Sequence, residues 1–466
     1  MSVTRRGLIG TAALGAAATA LPIRRARAQR GKDDVIRLGV LSDMSGTYKD
    51  TAGPVAVSCA KLATMDFAQG GKSLKTDVIQ ADHQNKPDIA AGIARQWYDQ
   101  GVDVILEVSN SACGLAVAGV AKDKNGVYLN SGAATSDLTG SQCNPNTIHW
   151  TYDTYMLGKS TGGALVKAGG DTWFFVTADY AFGTALQRDT TEFITAAHGK
   201  VLGSVRYPFP GTTDFSSFLL QAQASGAKVL GLANAGLDTV NSVEAAHEFG
   251  LTGQMRIAAL LCFISDVHAI GLDIAQGLTL TTSFYWDHDD RTRAFSKRLE
   301  PLAPGVRATM TQAGTYSSGL AYLRLVEAMG VAESKKDGAA TVAYMKKMTP
   351  DDDVFGKSTI REDGQCVHPS FLWEVKKPSE SKGPWDYYKP ISTTPPDEAF
   401  RPLSESACPL VKKACAPWPR RDAPSSPRPR PHRSSRGAPA RRRSRSASAC
   451  STISRGRIAT PAACIA

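Results

Sequence analysis

The chain has 466 residues, with 54 Lys and Arg against 43 Asp and Glu and a formal net charge of +11. That charge sits at the ends: residues 1–28 carry five arginines and no acid, residues 414–466 carry twelve arginines and one acid, Asp422, and residues 29–413 carry −5. A nucleic-acid footprint needs a basic face on the folded part, so the distribution excludes a nucleic-acid partner for the body, whose 385 residues also exceed what a single core supports.

Residues 1–28 read as an export leader. Thr4-Arg5-Arg6-Gly7-Leu8-Ile9 is a twin-arginine start, Gly7 to Ile23 is uncharged and rich in Ala and Gly, and Ala26-Arg27-Ala28 is a small-x-small cleavage site that predicts a mature start at Gln29. The stretch is too short and too rich in Gly and Ala for a membrane anchor, and no run of 18 apolar residues follows it. Export of this kind implies folding before translocation and a periplasmic location.

The body alternates short apolar runs with helical spacing. Strands are expected at Val35–Leu41, Lys75–Ala81, Val102–Val108 and Val127–Asn130, with helices at Val55–Ala68, Pro87–Gln100 and Leu115–Lys124 between them. After Trp150 the pattern restarts: helix Tyr155–Ala168, strand Thr172–Thr177, helix Gly183–His198, strand Lys200–Tyr207, helix Phe215–Ser225, strand Val229–Ala233, helix Val240–Phe249 and strand Ile257–Leu261. Leu278–Phe284 is a strand leading out, Arg291–Leu299 and Tyr316–Met329 are helices, and Phe371–Val375 is a final strand. Such alternation builds parallel sheets covered by helices. The expected fold is α/β, with two Rossmann-like lobes joined by a three-strand hinge: residues 34–149 plus 287–345 form the first lobe and 150–286 plus 346–390 the second. The crossovers are expected near Thr147–Asp153, Leu280–Trp286 and Met345–Pro350. Residues 391–413 form a C-terminal extension.

Residues 414–466 are Pro, Arg, Ser and Ala with few large aliphatics, a composition that cannot bury enough surface to fold. Arginine-only runs such as Arg441-Arg442-Arg443 look like a GC-rich gene read past its end or out of frame, which places the native terminus near Lys413; the rival reading is an arginine-rich nucleic-acid tail.

Several chemical motifs fail on spacing. Gly-Lys-Ser occurs at Gly71, Gly158 and Gly356, but the positions five residues earlier hold Asp66, Asp153 and Asp351, so none is a phosphate loop. Gly158-Lys159-Ser160-Thr161-Gly162 matches a nucleophile elbow but lies in a helical stretch with no strand before it. The eight histidines are scattered and His247-Glu248 lacks a second His, so no metal site, cofactor or catalytic residue is assigned. Nine cysteines include no CxxC. Cys143 and Cys408 both lie in loop-like sequence and are the candidate disulfide in an oxidising compartment; buried free thiols are the alternative.

In open α/β sheets ligands bind beyond the carboxyl ends of strands, where helix starts favour anions. Ser109-Asn110-Ser111-Ala112 and Ser131-Gly132-Ala133-Ala134-Thr135-Ser136-Asp137 both stand there, with hydroxyls and small residues that let a carboxylate approach the main chain. Ordinary N-capping is the competing explanation for each.

The body resembles type I periplasmic binding proteins of the branched-chain amino-acid (leucine/isoleucine/valine) family of ABC importers. The resemblance rests on Leu38–Gly46, Asp82–Pro87, Asn130–Gly140, Asp179–Gly183 and Phe284–Asp287, with a weaker match at Asp214–Phe218. It implies an exported, monomeric, non-enzymatic receptor that binds an amino acid or small carboxylate and delivers it to a membrane permease. By position, Ser111 offers its hydroxyl to the ligand carboxylate, Ala133 its main-chain groups, and Thr135 its hydroxyl and amide. Tyr180, the Asn234/Asp238 loop and, more weakly, Tyr48 close over it. The stretch Leu261-Cys262-Phe263-Ile264-Ser265-Asp266 departs from the family by placing no clear acid for a ligand ammonium, with Asp266 the nearest. A plain carboxylate is therefore the alternative ligand, an aromatic one if Phe284, Tyr285 and Trp286 touch it rather than pack in the core or hinge. A ligand-sensing receptor on the same fold is a second alternative.

Overall fold

A computed structural model of the chain describes residues 33–412 except Lys72. The leader, the predicted mature start and the 414–466 tail lie outside the described residues.

The first sheet is wholly parallel. Its strands are β1 (Val35–Ser42), β2 (Lys75–Asp82), β3 (Val104–Glu107), β4 (Val127–Asn130) and β5 (Thr147–His149), in the order β2-β1-β3-β4-β5. Helices α1 (Gly53–Gln69), α2 (Pro87–Asp99) and α3 (Ser111–Lys124) connect them. β3 and β4 are buried at every residue, as strands covered on both faces must be. β5 is only three residues long, on a stretch expected to be the first crossover.

Beyond β5, Asp153 caps α4 (Thr154–Leu157), which runs through a π-helical turn at Gly158–Gly162 into α5 (Gly163–Lys167). The nucleophile-elbow match is this π turn, and it follows a helix. The second sheet has β6 (Thr172–Ala178), β7 (Lys200–Tyr207), β8 (Val229–Ala233) and β9 (Arg256–Ala259), all parallel and ordered β7-β6-β8-β9. Its helices are α6 (Ala181–Ala196), α7 (Ser216–Ala224) and α8 (Leu237–Glu248), followed by α9 (Ile264–Ile270) and α10 (Leu272–Ala275).

β10 (Thr279–Thr282) leaves the second sheet, and the chain returns to the first. There α11 (Asp290–Leu299), α12 (Met310–Met329), α13 (Val331–Ser334) and α14 (Gly338–Met345) follow. α12 begins six residues before the expected Tyr316, at a capping box of Thr309 and Gln312. Its first turns are buried although polar: Gln312 donates to Ala52 O at 3.0 Å, and Trp150 Nε1 donates to Ser317 Oγ at 2.8 Å. Ser317 in turn donates to Asp352 at 2.5 Å, and Arg298 on α11 donates to Asp353 at 2.9 Å. These bonds hold residues 351–353 against α11 and α12.

Short strand pairs β11 (Asp351–Asp352) with β12 (Gly356–Lys357), and β13 (Thr359–Ile360) with β14 (Cys366–Val367), follow. β15 (Ser370–Val375) lies between β10 and β16 (Tyr388–Thr394) in an antiparallel sheet. α15 (Pro396–Ala399) then leads into a segment that reaches both lobes. Arg401 lies over the Tyr155 ring at 4.5 Å and pairs with Glu192 at 3.4 Å. Cys408 is disulfide-bonded to Cys143, with Cα atoms 5.5 Å apart. Cys59, Cys113, Cys262 and Cys366 are buried free thiols.

The bridge closes a chain separation of 265 residues, so it restricts the unfolded chain strongly. Replacing Cys143 and Cys408 by Ser should lower unfolding free energy by about 2–4 kcal/mol. Urea melts of the variant should match those of reduced wild-type protein.

Candidate functional site

β3 and β4 end side by side, with Glu107 opposite Asn130. Past β3, the Asn110 side chain caps α3, accepting the amides of Ala112 at 2.9 Å and Cys113 at 3.1 Å. Those amides are satisfied by their own cap, as the N-capping explanation required. Ser111 faces the neighbouring loop instead, and its Oγ accepts the amides of Ala134 and Thr135, each at 3.2 Å. Past β4, Asn130 shapes that loop by gripping Ala133: Oδ1 accepts the Ala133 amide at 2.8 Å and Nδ2 donates to its carbonyl at 2.7 Å. Thr135 Oγ1 accepts the Asp137 amide at 3.3 Å and opens a single 3-10 turn, Ser136–Leu138.

Tyr48 is positioned by Asp43, whose carboxylate accepts the amides of Gly46 at 2.7 Å and Tyr48 at 2.8 Å. From the other lobe, Tyr180 stands just before α6. The two phenol oxygens are 2.5 Å apart, and Phe209 stacks on Tyr180 with ring centres 4.3 Å apart. Further contacts span the cleft. The Leu237 amide donates to Thr47 O at 3.2 Å. Ser136 Oγ donates to Asp189 at 2.7 Å, and Arg188 donates to Asp137 at 3.1 Å. Gly236, at φ +62°, has no room for a Cβ, which would press on Thr47 O. The two lobes are shut on one another.

Between them lies a tight cavity with about 10 Å³ of free space. Its aromatic walls are Tyr48, Tyr152, Tyr180, Phe182 and Phe263, and its hydroxyls belong to Thr51, Ser109, Ser111 and Thr311. None of the described residues that line it is an Asp, Glu, Lys or Arg. Among the described residues no group of three or more His, Cys, Asp and Glu could hold a metal, and no helix is long and apolar enough to cross a membrane.

Of the residues singled out from sequence, Ser111, Tyr48 and Tyr180 line this cavity. Thr135 adjoins it through the amide held by Ser111. Ala133 does not offer its main chain, because Asn130 occupies both groups; Gly132 and Ala134 line the cavity in its place. Asn234 is turned to Ser242 and Thr239, and Asp238 accepts from Tyr207 at 2.8 Å, so Ala235 is the member of that loop at the cavity. Asp266 caps α9, accepting the Phe263 amide at 2.9 Å. The aromatic run packs elsewhere: Phe284 against Phe295, Tyr285 against Trp373 and Tyr388, and Trp286 donates to Trp385 O. Those three are core, not contact.

Glu107 lies directly behind the cavity. It is fully buried, neither carboxyl oxygen has a hydrogen-bond partner of standard geometry, and burial raises its pKa to about 8. The backbone there is strained: Glu107 has φ +75° and Val108 φ +70°, costing of order 1–3 kcal/mol each. Burial likewise raises Asp153 and Asp266 to about 7 and Asp238 to about 6. It lowers His83, His149 and His368 to about 4.

The profile of the family described as Periplasmic binding protein matches residues 35–383. The chain belongs to that family, the periplasmic solute-binding proteins of ABC transporters, and has its type I fold. Within it, the chain is 49% identical to a periplasmic binding protein from Burkholderia mallei, with a TM-score of 0.77 over 81% of this chain and 100% of the other. It is 39% identical to a branched chain amino acid ABC transporter periplasmic ligand-binding protein from Burkholderia xenovorans, TM-score 0.71 over the same shares. It is also 22% identical over 410 residues, 84% of this chain and 96% of the relative, to Leu/Ile/Val-binding protein homolog 4 of Brucella abortus.

Two predictions follow from these burials. A carboxyl whose pKa is raised on folding stabilises the native state below its unfolded pKa, and that contribution is lost as pH rises through the folded value. The buried histidines act oppositely, but only below their unfolded pKa of about 6.5. Melting temperature should therefore fall from pH 6.5 to pH 8.5, as Asp153, Asp266 and Glu107 ionise, which scanning calorimetry checks. Separately, a Cβ on Gly132 would collide with Glu107 Oε1 and come within 2.7 Å of Ser109 Cα. Gly132→Ala should cost about 1–3 kcal/mol in urea melts.

Proposed function

We propose that the protein binds a small carboxylate with an apolar, aromatic body in the cleft and presents it to an ABC permease. The observation that carries this reading is the cavity itself: a hydroxyl corner at Ser111, whose oxygen is fixed by the Ala134 and Thr135 amides and whose proton remains to be donated, aromatic walls elsewhere, and, among the described residues, no charged side chain on the lining. An anion held by hydroxyl donors in a closed site needs no buried cation. The aromatic walls favour a ring through stacking and edge contacts worth about 0.5–1.5 kcal/mol per pair.

In this reading the ligand meets the first lobe at Ser111 and Thr135. Rotation at the crossovers then brings Tyr180 against Tyr48. The closed form is the one the permease recognises, and the receptor acts as a monomer exported by the twin-arginine route. An amino acid is the second reading, favoured by the name of the Burkholderia xenovorans relative. It requires an acceptor for the ammonium, and Asp238 and Asp266 are already engaged with Tyr207 and the Phe263 amide.

Thermal-shift screening of benzoates against branched-chain amino acids separates the two readings. The benzoates should give the larger shifts. Ser111→Ala should then weaken the best ligand by about 1.5–3 kcal/mol in calorimetry, as loss of a hydrogen bond to a charged group does. Unchanged affinity in that variant would refute the placement.

A further inference from the structure

We propose that Glu107 sets a pH limit on anion capture: neutral, it lets a carboxylate settle against the Ser111 corner, and ionised, it drives the carboxylate out. The proposal rests on the carboxylate reading above and assigns Glu107 as a determinant of when that site works.

Its geometry comes from Gly132. The collision a Cβ there would make with Glu107 Oε1 and the Ser109 backbone means that the carboxyl packs against the main chain of both residues. Gly132 and Ser109 are themselves lining residues of the cavity. One layer of backbone therefore separates a buried carboxyl from the space where the ligand's own carboxylate would lie. The corner is built from the loops that follow Glu107 and its β-ladder partner Asn130, so the carboxyl cannot be moved away without moving the corner. The left-handed backbone at Glu107 and Val108 fixes the turn from strand to loop at this point.

The titratable groups that face Glu107 come from every side: Asp43 beyond β1, Cys113 on α3, Tyr128 on β4 and Tyr152 beyond β5. All four are acids, and Asp43 opposes ionisation of Glu107. Ser42 and the main chain at Val108 and Ser109 favour the charged form, but neither carboxyl oxygen has a partner of standard hydrogen-bond geometry and desolvation outweighs them. Burial places the transition near pH 8. An arriving anion shifts it upward, because like charges in a desolvated site repel strongly, so binding takes up a proton. The tyrosines that line the cavity do not compete in this window, since burial pushes Tyr48, Tyr152 and Tyr180 well above their ordinary value.

The test is isothermal titration of the full-length protein with benzoate and with L-leucine as probes, between pH 7 and pH 9. The bound probe's affinity for wild type should fall about ten-fold across that range, with net proton uptake at pH 8 seen in buffers of different ionisation enthalpy. Glu107→Gln should hold affinity within about two-fold and take up no proton. A flat wild-type profile overturns the proposal whether or not the variant folds, and so does an equal decline in Glu107→Gln. Failure of both probes at every pH refutes the carboxylate reading and the coupling with it.

Discussion

The Ser111 hydroxyl, by accepting the amides of Ala134 and Thr135, joins the loops that leave two neighbouring parallel strands. Without it those amides would be buried and unpaired, at about 1–3 kcal/mol each. A serine oxygen that accepts two bonds still has its own proton to donate. The corner thus has a donor left over after its internal bonds are made. Asn110 and Asn130 build the two sides by satisfying the nearby helix start and the Ala133 peptide, and this leaves Ser111 free to bridge.

The same economy of charge runs through the centre of the molecule. Polar groups there are paired with one another: Trp150 with Ser317, Ser317 with Asp352, Gln312 with the Ala52 carbonyl. Glu107 departs from that pattern as a buried carboxyl with no partner of standard geometry on strained backbone. A native structure retains such a group where function offsets the loss of stability.

Much of the architecture was legible in the sequence because parallel strands covered on both faces must be continuous apolar runs. Val127–Asn130 and Val229–Ala233 could be read to the residue, and Lys200–Tyr207, an edge strand, by its alternation. What escaped had a physical reason. β5 is too short to show a period, and β16 carries Pro390 and an exposed face because it is a sheet edge. The first turns of α12 are Thr, Gln and Gly made buried by partners distant in the chain. The site divides the same way. Ser111 and Tyr180 stand in recognisable motifs and Tyr48 in the loop just after one, but Tyr152, Phe263 and Thr311 reach the cavity only through folding, from loops and a helix with no local mark. The charge-neutral lining was invisible for the same reason, since composition says nothing about which side chains converge.

That neutrality bears on selectivity. The start of α3 is capped from within by Asn110, so its amides do not serve an anion, and among the described residues no lysine or arginine lines the cavity. In the proposed reading a carboxylate would be held instead by a few fixed dipoles beside the packed rings of Tyr48, Phe209 and Tyr180. Such dipoles gain strength as the cleft shuts and the local dielectric falls. They cannot also compensate an ammonium, which would need an acceptor of its own. The nearest acids, Asp238 and Asp266, are engaged in bonds within the second lobe, and burial pushes both toward the neutral form. Discrimination between a zwitterion and a simple acid is then set by the desolvation of one unpaired cation, a penalty of several kcal/mol, rather than by any contact to the carboxylate that the two ligands share.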